Sequence, residues 1–178
     1  MGMKTLRIVL LGFGNAGRAF ARLLLSKKRE LADVYETEVL VTGIATAGRG
    51  SLVENEGVDM QKALDDVAAN GRFENALALS SFEVIEKSEA NAVFELTPLS
   101  IKDGQPAIDH IAYAMNKGRH VITANKGPIA WAFRRLAALA GEKKLVFLYE
   151  TTVMDGAPIF NMVKYALPGC KTLSFEGF

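Results

Sequence analysis

Apolar positions along the chain follow two rhythms that take turns. Leu6-Arg7-Ile8-Val9-Leu10-Leu11 is apolar on both faces and predicts a strand inside a parallel sheet. From residue 15 to about residue 29, Ala16, Phe20, Leu23 and Leu24 recur at helical spacing with Arg18, Arg22 and Lys28 between them. A second strand covers residues 39–45, and a glycine-rich turn, Gly48-Arg49-Gly50, follows it. Residues 59–69 read as an exposed helix stopped by Asn70-Gly71. Within residues 72–90 the run Phe82-Glu83-Val84-Ile85 fits either a strand or one short helix. The alternation then sharpens into a strand at 92–96 ended by Thr97-Pro98, and an amphipathic helix at 105–117 closed by Gly118. A strand at 120–124, a helix at 128–140 with Pro128 near its start, and a strand at 145–149 complete it. Strand and helix thus alternate about five times, which predicts an α/β fold. Its sheet is doubly wound and mostly parallel, with helices on both faces and right-handed crossovers. Residues 151–178 leave the rhythm: 158–165 fit a short helix and 171–175 a strand.

Composition narrows the class. The 178 residues carry 21 Lys+Arg against 20 Asp+Glu, a formal net charge of +1, with 49% hydrophobic and 23% charged residues. That length fits one domain, or one domain and part of another, and the balance excludes intrinsic disorder. A near-neutral chain lacks the clustered cations that neutralise phosphates, so no nucleic-acid partner is expected. The densest basic run, Lys27-Lys28-Arg29, is expected at the solvated end of a helix. The single cysteine, Cys170, excludes a disulfide within the chain and a cysteine-rich zinc site, and fits a reducing cytosol. The apolar run at residues 6–11 is too short for a signal segment or a membrane span. A soluble, cytoplasmic protein with no membrane partner is expected.

The most informative motif is Gly12-Phe13-Gly14-Asn15-Ala16-Gly17, a G-x-G-x-x-G run between a predicted strand and a predicted helix. There Gly12 makes the tight turn, Gly14 lets the backbone approach a pyrophosphate, and Gly17 lets helix and strand pack closely. Open N–H groups and the positive helix end attract the phosphates. A glycine-rich turn that binds nothing has the same spacing, but the strand–helix context favours a nucleotide. The motif alone does not choose between flavin and nicotinamide cofactors.

The end of the second strand is more selective. It reads Ile44-Ala45-Thr46-Ala47-Gly48-Arg49, without the carboxylate that holds a ribose 2′-hydroxyl. Thr46 and Arg49, with Lys62 on the next helix, suit a 2′-phosphate instead, so NADP is favoured and NAD is the second choice. Arg49 also reads as a solvated loop residue. In Val121-Ile122-Thr123-Ala124-Asn125-Lys126-Gly127-Pro128, Asn125 and Lys126 stand at the carboxyl end of a strand, where open α/β sheets bind ligands. The ammonium of Lys126 can hold a substrate oxygen or share in proton transfer beside a nicotinamide. A surface turn explains Lys126 equally well. Thr97 and Pro98 would line the same crevice.

Three segments together resemble the homoserine dehydrogenase family: the glycine run at 12–17, residues 121–128, and Tyr149-Glu150-Thr151-Thr152-Val153-Met154-Asp155-Gly156-Ala157-Pro158. Their order and spacing match over essentially the whole chain. The resemblance implies an enzyme of threonine and methionine biosynthesis that interconverts L-homoserine and L-aspartate 4-semialdehyde with NAD(P)(H). It implies a Rossmann domain over residues 1–150 and, from 151 to 178, the truncated start of a substrate and dimerisation domain. By the same match, Lys126 is the catalytic lysine at the nicotinamide and substrate. Glu150 and Val153, with Asp155 and Ala157, would contribute to a site for a monovalent cation such as sodium. The family's substrate domain also carries carboxylates and a second lysine that have no counterpart in this sequence. The chain is therefore expected to bind NADP(H) with little or no turnover alone, to leave apolar surface around residues 153–165, and to form a homo-oligomer when full-length.

Other candidates read as structural. His110 and His120 have no partners at metal-ligand spacing. Cys170 does not open a helix after a strand, as the thiolate of an acylating semialdehyde dehydrogenase would. Met115, Met154 and Met162 read as packing residues, and Trp131 as partly buried with its N–H near the surface. A non-catalytic module that senses NAD(P)H and binds a partner shares the glycine loop and is the alternative reading.

Overall fold

A computed structural model describes residues 2–154, 156–174 and 176. Six strands form one sheet in the order β3-β2-β1-β4-β5-β6. They are β1 (Lys4–Leu11), β2 (Thr37–Ala45), β3 (Ser51–Val53), β4 (Ala92–Glu95), β5 (His120–Thr123) and β6 (Phe147–Leu148). All neighbours run parallel except β2 and β3, which are antiparallel. Helices α1 (Asn15–Tyr35), α2 (Met60–Asn70), α3 (Ser81–Lys87), α4 (Ala107–Asn116) and α5 (Lys126–Glu142) connect them. The strand order reverses between β1 and β4, the switch point at which a doubly wound sheet binds its ligand.

Alternation along β1 divides the core. Ile8 and Leu10 join Phe13, Ala21, Ile44, Val67 and Phe73 on one side. Val9 and Leu11 join Val84, Ile111, Met115, Val121 and Leu136 on the other. Both sides of β1 are therefore dry, which is why its sequence is a continuous apolar run rather than an alternating one.

Several local expectations are corrected. Helix α1 runs on to Tyr35, so Lys27-Lys28-Arg29 lies within the helix rather than at its end. Lys27 pairs with Glu30 at 2.6 Å and Arg29 with Asp33 at 3.2 Å, contacts that reward continued helix. The turn after β2 closes a hairpin onto β3, a strand the pattern does not announce. Residues 82–85 belong to helix α3, whose start is fixed by a capping box between Ser80 and Glu83. Helix α4 begins at Ala107 behind Pro106, and α5 begins at Lys126, which makes Pro128 its third residue. Proline is tolerated there because first-turn N–H groups have no intrahelical acceptor. The last strand is only Phe147–Leu148.

After β6 come a 3-10 turn (Glu150–Thr152), a short helix α6 (Ile159–Asn161) and a π-turn (Met162–Ala166). The expected helix at 158–165 is thus present in irregular form. Residues 171–174 form no strand, and Phe175 lies outside the described residues. Val153, Met154, Met162, Tyr165 and Leu173 are exposed. Among the described residues no helix is long and apolar enough to cross a membrane.

Candidate functional site: the carboxyl edge of the sheet

The carboxyl ends of the strands are joined by backbone bonds that continue past the ladders. Gly12 N–H donates to the Ala45 carbonyl at 2.8 Å, Leu96 N–H to Leu11 at 2.8 Å, and Ala124 N–H to Glu95 at 3.3 Å. The loops after β2, β1, β4 and β5 therefore stand side by side along one edge.

The three glycines of the first loop sit in different surroundings. Gly12 has φ +103°, and a Cβ there would lie 2.4 Å from the Leu96 carbonyl oxygen. A Cβ on Gly17 would lie 2.4 Å from the Gly12 carbonyl oxygen. A Cβ on Gly14 would meet nothing within 4 Å. Gly12 and Gly17 are thus fixed by the protein's own packing, whereas Gly14 borders open space.

Gly14 is also the N-cap of α1, which has no side-chain cap and no acidic residue in its first turn. A 21-residue helix accordingly directs its positive end into that space. Arg18 reinforces it: its guanidinium donates to the Gly14 carbonyl at 3.2 Å and to Asn15 Oδ1 at 3.0 Å. Sequence reasoning did not single out Arg18, although its place one turn after Gly14 is the signal. Asn15 and Ala16 are exposed beside the loop. Phe13 turns its side chain inward onto Phe73, with ring centroids 5.4 Å apart, so only its backbone remains on the loop's outer side.

At the hairpin after β2, the Thr46 hydroxyl donates to the Gly50 carbonyl and accepts from Arg49 N–H, both at 2.8 Å. Thr46 therefore shapes the turn that carries Arg49. The Arg49 Nε is buried without a hydrogen-bond partner among the described residues. A guanidinium nitrogen without a protein acceptor at the carboxyl end of β2 fits an anionic ligand group. Lys62 is held elsewhere: its ammonium pairs with Asp66 at 3.1 Å and in a close contact with Glu74. The Glu74 and Asp66 bonds raise its pKa.

Asn125 is buried and acts as a clamp. Its Oδ1 accepts from Gly127 N–H at 3.1 Å and caps α5, while its Nδ2 donates to the Thr97 and Pro98 carbonyls at 3.1 and 3.4 Å. Lys126 follows, exposed at the first position of α5. The structure thus brings Thr97, Pro98, Asn125 and Lys126 together. It also places there a residue the sequence reading passed over: Glu95, the last residue of β4, is fully buried and bonded to Thr97. Buried among apolar neighbours in a short run, it resembles any strand end until its partners are seen.

In the loop after β6, both Glu150 oxygens accept backbone N–H groups, from Phe160 at 2.9 Å and from Asn161 at 3.2–3.3 Å. The Ala157 carbonyl accepts from Ile159 N–H at 2.9 Å, Val153 is half exposed, and Asp155 lies outside the described residues. Among the described residues no group of three or more His, Cys, Asp or Glu could hold a metal. The carboxylate of Glu150 is thus engaged by backbone N–H groups.

Of the structural candidates, His110 is buried with Nδ1 3.9 Å from Glu95 Oε1, and His120 Nδ1 accepts from Val146 N–H at 3.0 Å. Trp131 is more exposed than expected, at 59%, with Nε1 bonded to the Ile101 carbonyl. Cys170 is exposed.

No protein-family model matches the chain. Homoserine dehydrogenase of Methanocaldococcus jannaschii is 34% identical over 174 residues, which is 96% of this chain and 51% of that protein. The homoserine dehydrogenase of Thermoplasma acidophilum superposes with a TM-score of 0.80 at 25% identity, over 93% of this chain and 49% of that one. Over that length the chain is similar to homoserine dehydrogenases, consistent with their N-terminal portion. It spans about half the length of the homoserine dehydrogenases it matches. A relative from Pseudomonas canavaninivorans, 30% identical over 179 residues, is an NAD(+)-dependent homoserine dehydrogenase. A hyperthermophilic archaeal homoserine dehydrogenase in complex with NADPH has a TM-score of 0.75 and 26% identity over 89% of this chain and 48% of that one.

Proposed function

We propose that this chain is the cofactor-binding portion of an oxidoreductase that interconverts L-homoserine and L-aspartate 4-semialdehyde, and that it binds NADP(H) in preference to NAD(H). The observation that carries the reading is the open space at Gly14, faced by the uncapped end of α1. A diphosphate bound there would accept N–H bonds from the first turn, with Gly12, Phe13, Asn15, Ala16 and Gly17 setting the loop's shape. The adenosine half would then lie toward β2, where Arg49 meets the 2′-phosphate. The nicotinamide half would lie over β4 and β5, beside Thr97, Pro98 and Lys126. When bound, the nicotinamide supplies or accepts the hydride. Lys126 holds the substrate oxygen and shares in the proton exchanged at that oxygen.

Residues 1–150 are read as the cofactor domain, and residue 151 onward as the opening of the substrate and dimerisation domain. A cytoplasmic setting and a homo-oligomeric full-length enzyme go with this reading. The family's monovalent cation would fall at the loop of Glu150, Val153, Asp155 and Ala157. Its support is resemblance alone, and no step is assigned to it.

Calorimetric titration of the chain with NADP, NADPH, NAD and NADH tests the reading. Tight binding of the phosphorylated forms supports it, and absence of heat with all four overturns it. Lys126→Ala in a chain that carries the second half separates an enzyme from a sensor. The enzyme loses turnover while cofactor affinity is kept, whereas a sensor shows no turnover to lose.

A further inference from the structure

Glu95 is the one acidic residue of β4, after Ala92, Val93 and Phe94, and none of its surface is exposed. Burying a carboxyl group costs several kcal/mol unless donors meet it, so an apolar residue would serve the core better. The donors are present, and they come from the loop after β4 and from the last residue of β5. Oε1 accepts from Thr97 N–H at 3.1 Å and, in a close contact, from the Thr97 hydroxyl. The Thr123 hydroxyl lies 3.3 Å from both Oε2 and the Glu95 main-chain carbonyl oxygen, so its single proton is shared between these two acceptors of Glu95. Glu95 and Thr123 stand opposite one another in the β4–β5 register.

The network closes on itself. The Thr123 hydroxyl accepts from Asn125 N–H at 3.0 Å, and the Asn125 amide donates back to the Thr97 carbonyl at 3.1 Å. Glu95, Thr97, Asn125 and Thr123 therefore form a ring beneath the two loops that flank the nicotinamide position. His110 stands behind the ring, its Nδ1 3.9 Å from Oε1, beyond hydrogen-bond reach. No atom of Glu95 is exposed to a ligand, so its action has to pass through the loops.

We infer that Glu95 is a positioning residue: its buried carboxyl group locks the Thr97-Pro98 loop to the Asn125-Lys126 turn and so prepares the nicotinamide half of the dinucleotide site. The inference rests on the dinucleotide reading above and adds a selective consequence. Loosening the ring removes affinity for the nicotinamide half while leaving the adenosine half, at α1 and Arg49, as it was.

The test compares NADPH with adenosine 2′,5′-bisphosphate, which lacks the nicotinamide half, by calorimetry on the 178-residue chain. Glu95→Met keeps length and removes both acceptors. It is expected to raise the NADPH Kd about tenfold, the worth of one or two net hydrogen bonds, while the fragment's Kd stays within about twofold. Glu95→Gln keeps an acceptor for Thr97 and is expected to restore most of the NADPH affinity. If Glu95→Met does not fold, Thr123→Val decides, with an expected rise of about threefold for NADPH alone. Unchanged NADPH binding in a folded variant, or equal weakening of both ligands, overturns the inference. Failure of the unaltered chain to bind either ligand overturns the dinucleotide reading instead.

Discussion

The carbonyl oxygen of Gly12 lies 2.4 Å from the point where a side chain on Gly17 would begin. The first helix can therefore leave the first strand at this angle only without a Cβ at position 17. Gly17→Ala forces backbone against backbone, and the expected loss is about 2 kcal/mol, within the range for overpacking. Gly12→Ala adds a left-handed φ to a similar clash and is expected to cost at least as much. Urea unfolding of the two variants, compared with the unaltered chain, measures both.

Gly14→Ala is expected to behave in the opposite way. The added methyl group meets no protein atom within 4 Å, and φ is negative at −80°, while ψ of −148° lies just past the extended region. The stability loss should be about 1 kcal/mol, below that of Gly12→Ala or Gly17→Ala. The methyl group would nevertheless occupy the approach to the helix end, so affinity for NADPH is expected to fall by about tenfold or more. Chemical unfolding and calorimetry on the same sample separate the two effects. A Gly14→Ala chain that keeps full affinity would place the diphosphate elsewhere.

Arg49 is expected to set cofactor choice. Its guanidinium has a buried Nε with no partner among the described residues, on a turn held by Thr46. A charge-assisted bond contributes roughly 1.5–3 kcal/mol, so Arg49→Gln is expected to weaken NADP by about tenfold or more and leave NAD almost unchanged. Paired titrations check it. Equal losses for both cofactors would assign Arg49 to the diphosphate. By contrast Lys62→Met, which removes an ammonium already paired with Asp66 and Glu74, is expected to leave the NADP to NAD ratio within about twofold.

How far these features were legible depends on how local their causes are. The β1 run, the glycine spacing and α1 lie within one stretch of chain, and each follows from residues a few positions apart. Helix α3 was open between strand and helix because its apolar positions fit both, yet Ser80 and Glu83 carry the capping box that decides it. Strand β3 was invisible because three residues become a strand only through pairing with β2 across the hairpin. Glu95 was passed over for the same kind of reason: Thr123 lies 28 positions away, and no local pattern announces that bond. Arg49 and Lys62 look alike as cations in the sequence. Only the carboxylates of Asp66 and Glu74 tell them apart.

Stability is expected to fall in acid, and the direction follows from four carboxylates. Glu83 is held below its ordinary value of 4.5 by the Ser80 N–H and hydroxyl, and Glu86 by the Lys117 ammonium and the Tyr113 hydroxyl. Asp66 is held below 3.8 by Glu74 N–H and then Lys62, and Asp103 by the Ser100 hydroxyl and Gln105 N–H. A carboxylate whose pKa is lowered on folding contributes stability that is present above the unfolded value and lost as pH falls through the folded one. The urea midpoint should therefore hold steady at neutral pH and decline once the pH drops below about 4.5, the region in which the unfolded chain begins to take up protons first. Lys62 and Lys117 are raised from 10.5 by their carboxylate partners, so their contribution is present at neutral pH and fades as pH climbs past that value. All of these groups except Asp66, whose side chain is mostly covered, face solvent, so screening keeps their contributions small and added salt should flatten both limbs. Glu83→Gln separates the capping box from the rest: it should lower the midpoint at pH 7 and leave a shallower decline below pH 4.5. A midpoint that rises on acidification would contradict the assignment of these bonds.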